Sequence, residues 1–310
     1  MLKYIGKRLL VLIPTLLCIT FLVQLFLAIT PGDPARLMAG NQASEEEVEA
    51  LREEMGLNDP VLVRYAHYMI NLFQGNLGKS FRTKNPVISE IGERFPYTLL
   101  LVFISVILSL LIGIPTGIYA ATHQYSWKDN LSILLSLFFV SMPSFWFALL
   151  LIQFLCVKLK ILPVAGVDSW IGWILPCLTC ALAYAASVAR QMRSNMLEVI
   201  RQDYITTARA KGQTERKVLY KHALRNAIIP IIMTIGGIFG IALGGSMVTE
   251  SIFGIPGLGS YTISALSARD YPVIQTSVLF LSTLNCLVLL LIDIAFAIVD
   301  PRIREQYSGK

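Results

Sequence analysis

The sequence is short of charge. Only 15% of its 310 residues are Asp, Glu, Lys or Arg, against 55% hydrophobic, and the mean hydropathy is +0.63. A soluble domain of this size carries roughly a quarter charged residues, so the deficit excludes that class and implies an integral membrane protein. Histidine is scarce too: His67, His123 and His222 fall in three separate connecting segments, and no HExxH run exists. The five cysteines, Cys18, Cys156, Cys177, Cys180 and Cys286, all lie in apolar stretches, which excludes a disulfide framework. Cys177 and Cys180 form a CxxC with no second pair and no nearby histidine, so they read as small buried hydrophobes and no metal site is expected. Paired carboxylates and a GxSxG run are missing. Gly78-Lys79-Ser80 ends a run resembling a phosphate loop, but Phe73 stands where its first glycine belongs. No catalytic or nucleotide site is therefore expected in this chain. The net charge of +6 comes without basic blocks interleaved with aromatics, which argues against nucleic acid as a partner.

What the chain has is long apolar runs. A helix needs about 20 residues to cross the hydrocarbon core, and six segments qualify: about 9–30, 97–121, 131–157, 174–190, 227–247 and 276–299. The first follows Lys3, Lys7 and Arg8 but is too long for a signal sequence and has no small-x-small cleavage site, so it reads as a retained span. The fourth is rich in Ala, Ser and Cys, a composition suited to close packing inside a bundle. Asp293 lies inside the sixth segment and Glu250 at the end of the fifth, and an ionisable group in a span is a functional candidate by default.

Basic residues set the orientation. With the N-terminus inside, the cytoplasmic segments 1–8, 122–130, 190–226 and 300–310 hold three, one, nine and three Lys/Arg. The short outer loops 158–173 and 248–275 hold two and one. The long loop 31–96 holds seven against ten acidic residues, but long loops weigh little in this rule. Both termini are expected to be cytoplasmic. The division expected is an N-terminal span (1–30), an outer helical insert (31–96), a core (97–300) and a cytoplasmic tail (301–310). Within the insert, Ser44 with Glu47 forms a capping box ahead of a helix stopped by Gly56, and 61–75 repeats apolar residues at helical spacing before Gly75.

The segment "DYITTARAKGQTERKVLYKHALRNAIIP" (203–230) is polar and basic, yet patterned. Ala208 and Ala210 offer a small-residue surface before Gly212, and Thr214 is placed to cap a second helix. Two short helices meeting at Gly212 make a compact knuckle, suited to a groove on another protein. In the fifth span, Gly236, Gly237, Gly240, Gly244 and Gly245 permit close approach or bending. Gly240, Gly244, Met247 and Glu250 are the candidates for lining a pathway or its outer gate. Two other classes are compatible with this much: a receptor or scaffold whose basic loop binds a soluble partner, and a passive channel.

These residues also resemble a known family. "DYITTARAKG" followed by "HALRNAIIP" is similar to the coupling segment of binding-protein-dependent ABC importer permeases of the type I fold. The resemblance extends through "TPGDPA", "GNLGKSF", "MVTESIFGIPGLG", "RDYPVIQ" and "DPRIRE", in order along nearly the whole chain. Together they look like the first permease subunit of the dipeptide, oligopeptide, glutathione and nickel importer group. "PGDPARLMAG" and "LPVAGVDSW" also resemble glutathione importers. The resemblance implies an all-α, six-span permease in the bacterial inner membrane, built as half of a heterodimer. It implies a second permease, two cytoplasmic ATPases that bind ATP and Mg, and an extracytoplasmic substrate-binding protein as partners, with no cofactor in this chain. It places Asp203, Tyr204, Thr207, Ala208, Arg209, Ala210, Lys211 and Gly212 at the ATPase docking helix. Di- or oligopeptides are the first substrate expected, then glutathione, then nickel or a metal chelate.

Overall fold

The computed structural model describes residues 2–40 and 42–299, and no β-strand occurs among them. In chain order the helices are α1 (Leu2–Ile29), α2 (Pro34–Ala39), α3 (Glu45–Glu54), α4 (Val61–Phe73), α5 (Val87–Thr122), α6 (Trp127–Ser141), α7 (Ser144–Leu151), α8 (Ile174–Ile200) and α9 (Asp203–Ala210). They continue with α10 (Glu215–Lys217), α11 (Leu224–Ala227), α12 (Ile229–Phe253), α13 (Leu258–Ala268) and α14 (Tyr271–Val299). A π-helical turn, Val218–Ala223, joins α10 to α11, and another, Ile152–Lys158, extends α7. A helix satisfies its own backbone polar groups, which is what hydrocarbon demands.

Five helical runs are long and apolar enough to cross a membrane: Arg8–Ile29, Val87–Thr122, Trp170–Ile200, Ile229–Phe253 and Tyr271–Ala295. The third expected span, 131–157, is not straight. It is the pair Trp127–Ser141 and Ser144–Lys158, bent by 101°. The cause is Pro143, which lacks an N–H and pushes Met142 to an extended backbone (ψ 124°). The other spans exceed their apolar windows. α5 begins ten residues before the expected start and carries Glu90, Glu93 and Arg94, because a helix does not stop where its hydropathy falls.

The chain divides into two compact units. The first holds Leu99–Ile255 and the last turns of α14. α5 approaches α8 closely: a Cβ at Gly113 would stand 2.7 Å from the Ala185 carbonyl oxygen, and one at Gly117 2.5 Å from the Ala189 carbonyl oxygen. A buried ion pair braces α6 on α8. Asp129, capped into the first turn of α6, accepts from Arg193 Nε and Nη2 at 2.6 and 2.7 Å, while its Oδ2 also accepts from the Tyr125 N–H at 3.0 Å. Cys177 and Cys180 are buried in this unit beside Ser105 and Thr249, as expected of small core residues.

The second unit holds Gly6–Thr98 and Pro256–Cys286. The capping box expected at Ser44 and Glu47 is present, and Gly56 and Gly75 close their helices with φ of +65° and +77°. Asp33 caps α2 through the Ala35 N–H and takes two hydrogen bonds from Arg52 of α3, at 2.6 and 2.9 Å. The hub is Asp270, just before α14 and only 3% exposed. Its carboxylate accepts from Ser80 Oγ at 2.5 Å, the Phe81 N–H at 3.0 Å and the Arg82 N–H at 3.3 Å. Thr276 Oγ1 donates to the Leu77 carbonyl at 2.8 Å, and Leu258 N–H to Thr98 Oγ1 at 2.8 Å. Thus "GNLGKSF" and "RDYPVIQ" are two halves of one polar clasp.

Replacing Asp270 by Ala leaves Ser80 Oγ and the Phe81 N–H without this acceptor, while the Arg82 N–H keeps Ser80 Oγ at 3.2 Å. The expected loss is about 3 kcal/mol of stability, with Asp270→Asn intermediate, read as detergent-solubilised unfolding midpoints.

Candidate coupling site

The knuckle forms because Gly212 turns the chain. Its φ of +73° is left-handed, a conformation glycine adopts without penalty, and a Cβ there would meet nothing within 4 Å. Conformation, not space, requires this glycine. α9 precedes it and the α10–π–α11 run follows. Thr214 occupies the N-cap position with extended backbone, but its side chain makes no capping bond. Its carbonyl accepts from Lys217 and Val218 instead, at 2.9 and 3.0 Å.

α9 has two faces. Ile205 and Ala208 point inward, at 0% and 7% exposure, into a cluster with Ile118 and Ala121 of α5, Met192 and Met196 of α8, and Val218, Ala223, Ala227 and Ile231. Burying side chains such as Met192, Met196 and Ile205 contributes about 1.5–3 kcal/mol each. Asn195 of α8 adds a polar clip, donating to the Ala227 carbonyl at 3.0 Å and accepting from Gln191 at 2.9 Å. Asp203, Tyr204, Thr207, Arg209, Ala210 and Lys211 are exposed. Ala208 therefore does not share an outer small-residue surface with Ala210. The residues are two apart on a helix, which turns them about 200° from one another.

The outer face is ordered by its own bonds. Tyr204 Oη accepts from Asn226 Nδ2 at 2.7 Å, and Thr207 Oγ1 donates to the Asp203 carbonyl at 2.9 Å. Arg209 forks onto Glu215 across Gly212, at 2.6 and 3.1 Å. Its hydrogen bonds hold the Glu215 carboxyl below the usual carboxylate range. Both groups are exposed, so the pair adds little stability and chiefly sets the angle of the turn. His222 and Gln213 pair at 2.8 Å. Beside the knuckle lies an open hollow of about 560 Å³ lined by Tyr204, Lys221, His222, Arg225 and Asn226 among others.

The pathway candidates separate. On α12, Gly244 is exposed, and Gly240 and Met247 are half-buried beside it. Gly244 falls within a stripe of exposed Met233, Gly237, Ile241 and Val248 at helical spacing, with Gly240 and Met247 along its edge. Glu250 departs from this group. It is fully buried, with Ser246 Oγ donating to it at 3.2 Å, because the 3.6-residue repeat carries position 250 off the exposed face. A carboxylate enclosed by its own chain is not part of a pathway surface in this structure.

Two structural supports near the knuckle escaped the sequence reading. Arg193 counts there only as a topology charge, and Asn195 not at all. The available signal was a polar run, "RQMRSN", continuing the fourth span without a helix breaker.

The described residues form a helical bundle with a basic knuckle packed onto three span ends. Residues 113–305 match the family described as binding-protein-dependent transport system inner membrane component, and residues 1–102 match its N-terminal membrane component. The chain belongs to this family: it is a multi-pass inner-membrane permease subunit of an ABC importer. It is 44% identical over 306 residues, 99% of this chain and 100% of the relative, to the glutathione transport system permease protein GsiC of Escherichia coli O6:H1 (strain CFT073). The GsiC of Salmonella typhimurium (strain LT2) is likewise 44% identical over the same shares. The inward-facing MetNI methionine ABC transporter shares the fold, with TM-score 0.59 and 19% identity over 69% of this chain and 98% of that one. The receptor and channel readings are thereby set aside.

Glutamate at position 208 would bury a charge in the knuckle core, whereas at 210 it would meet water. Ala208→Glu is expected to cost several kcal/mol, and Ala210→Glu to melt within about 0.5 kcal/mol of the parent. Size-exclusion profiles and unfolding midpoints of the two variants check this.

Proposed function

We propose that this chain forms one half of a heterodimeric pathway for short peptides, with glutathione the first substrate to test. The observation that carries the substrate reading is the 44% identity, along the full length of both chains, to a protein named as a glutathione permease. Di- and oligopeptides at large remain the broader class.

The partners are a second homologous permease, two cytoplasmic ATPases that hold ATP and Mg, and an extracytoplasmic binding protein. This chain itself contributes no chemical step and no cofactor. Both termini lie in the cytoplasm, consistent with the nine basic residues of 190–226. The exposed face of α9, with Tyr204, Thr207, Ala210 and Lys211, docks on an ATPase. When the ATPases close, the push on that face passes through Ile205 and Ala208 into α5, α8 and α12 together. The spans then rock between inward- and outward-open states, as alternating access requires. The stripe of α12 that includes Gly240 and Gly244, flanked by Met247, lines the path against the second permease. Glu250 acts as an internal brace of α12 through Ser246.

In the reconstituted complex, glutathione-loaded binding protein should stimulate ATP hydrolysis and uptake. Ala210→Glu should reduce that stimulation at least about tenfold, the loss of one docking contact, while assembly of the two permeases is retained. Unchanged stimulation in Ala210→Glu would reduce the knuckle to a topology signal. Uptake of dipeptides without glutathione would correct the substrate alone.

A further inference from the structure

The second unit holds a partly open cavity of about 220 Å³ among α1, α4, the turn at Gly56–Asp59, the loop around Asn76 and the start of α14. That volume equals about seven waters and suits one amino-acid-sized group. Arg64, Tyr68, Asp59, Asn71 and Gln275 are among its lining residues.

Two of these have unmet demands. The Arg64 guanidinium is half-buried over the Tyr271 ring, 5.8 Å from its centroid, and forms no hydrogen bond or ion pair with any described residue. Burial works against its charge, and the attraction of Tyr271 and Asp59 only partly offsets this. Tyr68 Oη is buried and has no hydrogen-bond partner among the described residues. Burial pushes its hydroxyl up to about 12, so at neutral pH it is a donor. A half-buried cation and a buried hydroxyl sharing one small cavity both suit an anionic acceptor. Asp59 shares the lining, exposed and without a hydrogen bond of its own. A ligand carrying both a carboxylate and an ammonium meets both charges, whereas a bare amine offers Arg64 no acceptor.

We propose that this cavity is a binding site for an α-amino-acid head group, with the carboxylate on Arg64 and Tyr68 and the ammonium toward Asp59. That head group occurs on a free amino acid and on the γ-glutamyl end of glutathione. An ordinary dipeptide lacks it, because its ammonium and carboxylate sit on different residues. The site lies in the second unit, separate from the α12 stripe, and does not depend on what the importer carries.

Calorimetric titration of the purified full-length permease complex tests this without nucleotide or binding protein. The ligands are L-alanine, glutathione, alanyl-alanine, acetate and methylamine. Saturable binding of alanine, of glutathione or of both is expected, with the other three at least about tenfold weaker. Alanine alone assigns the site to free amino acids, and glutathione alone to the γ-glutamyl end. Arg64→Gln should weaken binding at least about tenfold. Tyr68→Phe should weaken it about threefold or more, and Asp59→Asn should weaken the amino acid but not acetate. Ligand-free melting curves verify folding, and if Arg64→Gln does not fold, Tyr68→Phe, which lacks only one oxygen, decides. No saturable binding of either head-group ligand overturns the proposal, as does binding unchanged in the Arg64 and Tyr68 variants.

Discussion

Ile205 and Ala208 enter a cluster that three span ends share: α5 through Ile118 and Ala121, α8 through Met192 and Met196, and α12 through Ile231. Protein interiors are packed to crystal-like density, so such a cluster transmits displacement instead of absorbing it. A short helix resting on the surface would slide when pushed. One plugged by a fully buried isoleucine moves its neighbours. The Asn195 clip on the Ala227 carbonyl and the Asp129–Arg193 pair stiffen the same region. The coupling role proposed for the knuckle rests on this packing more than on its positive charge.

The second unit is organised by polarity. Asp270 collects one side-chain and two backbone donors, and its low exposure makes each bond strong while making its loss costly. The capped helices α2 and α3 are fastened by Arg52 on Asp33. Tyr68 Oη is one of several buried polar atoms of this unit, with Arg94 Nε, Arg269 Nη1, Ser277 Oγ and Asn285 Oδ1, that meet no partner among the described residues, and it shares the lining of the hollow with the half-buried Arg64.

Much of the architecture was legible beforehand. Low charge, long apolar runs and the turn at Gly212 foretold a helical membrane protein with a structured basic segment. The capping box at Ser44 and Glu47 was readable because cap geometry is local to four residues. The bend at Pro143 carried its own marker, yet the surrounding run "LLSLFFVSMPSFWFALLL" is apolar throughout, so hydropathy alone drew one span across it. The start of α5 was misplaced for the converse reason, since Glu90, Glu93 and Arg94 continue the helix outside the apolar window.

Residue type and spacing alone determined that this chain crosses a membrane, roughly where, and that its basic segment is folded, because desolvation and helix capping act over a few neighbouring residues. Tertiary structure decided which side of each helix is used. Ala208 and Ala210 are equally small, and only packing against Met192 and Val218 makes one core and the other surface. Glu250 is as polar as any gate residue, and its rotation about α12 encloses it. Ser80 and Asp270 stand 190 positions apart. Their clasp, like the cavity holding Arg64 and Tyr68, depends on long-range approach of helices, which no local pattern encodes.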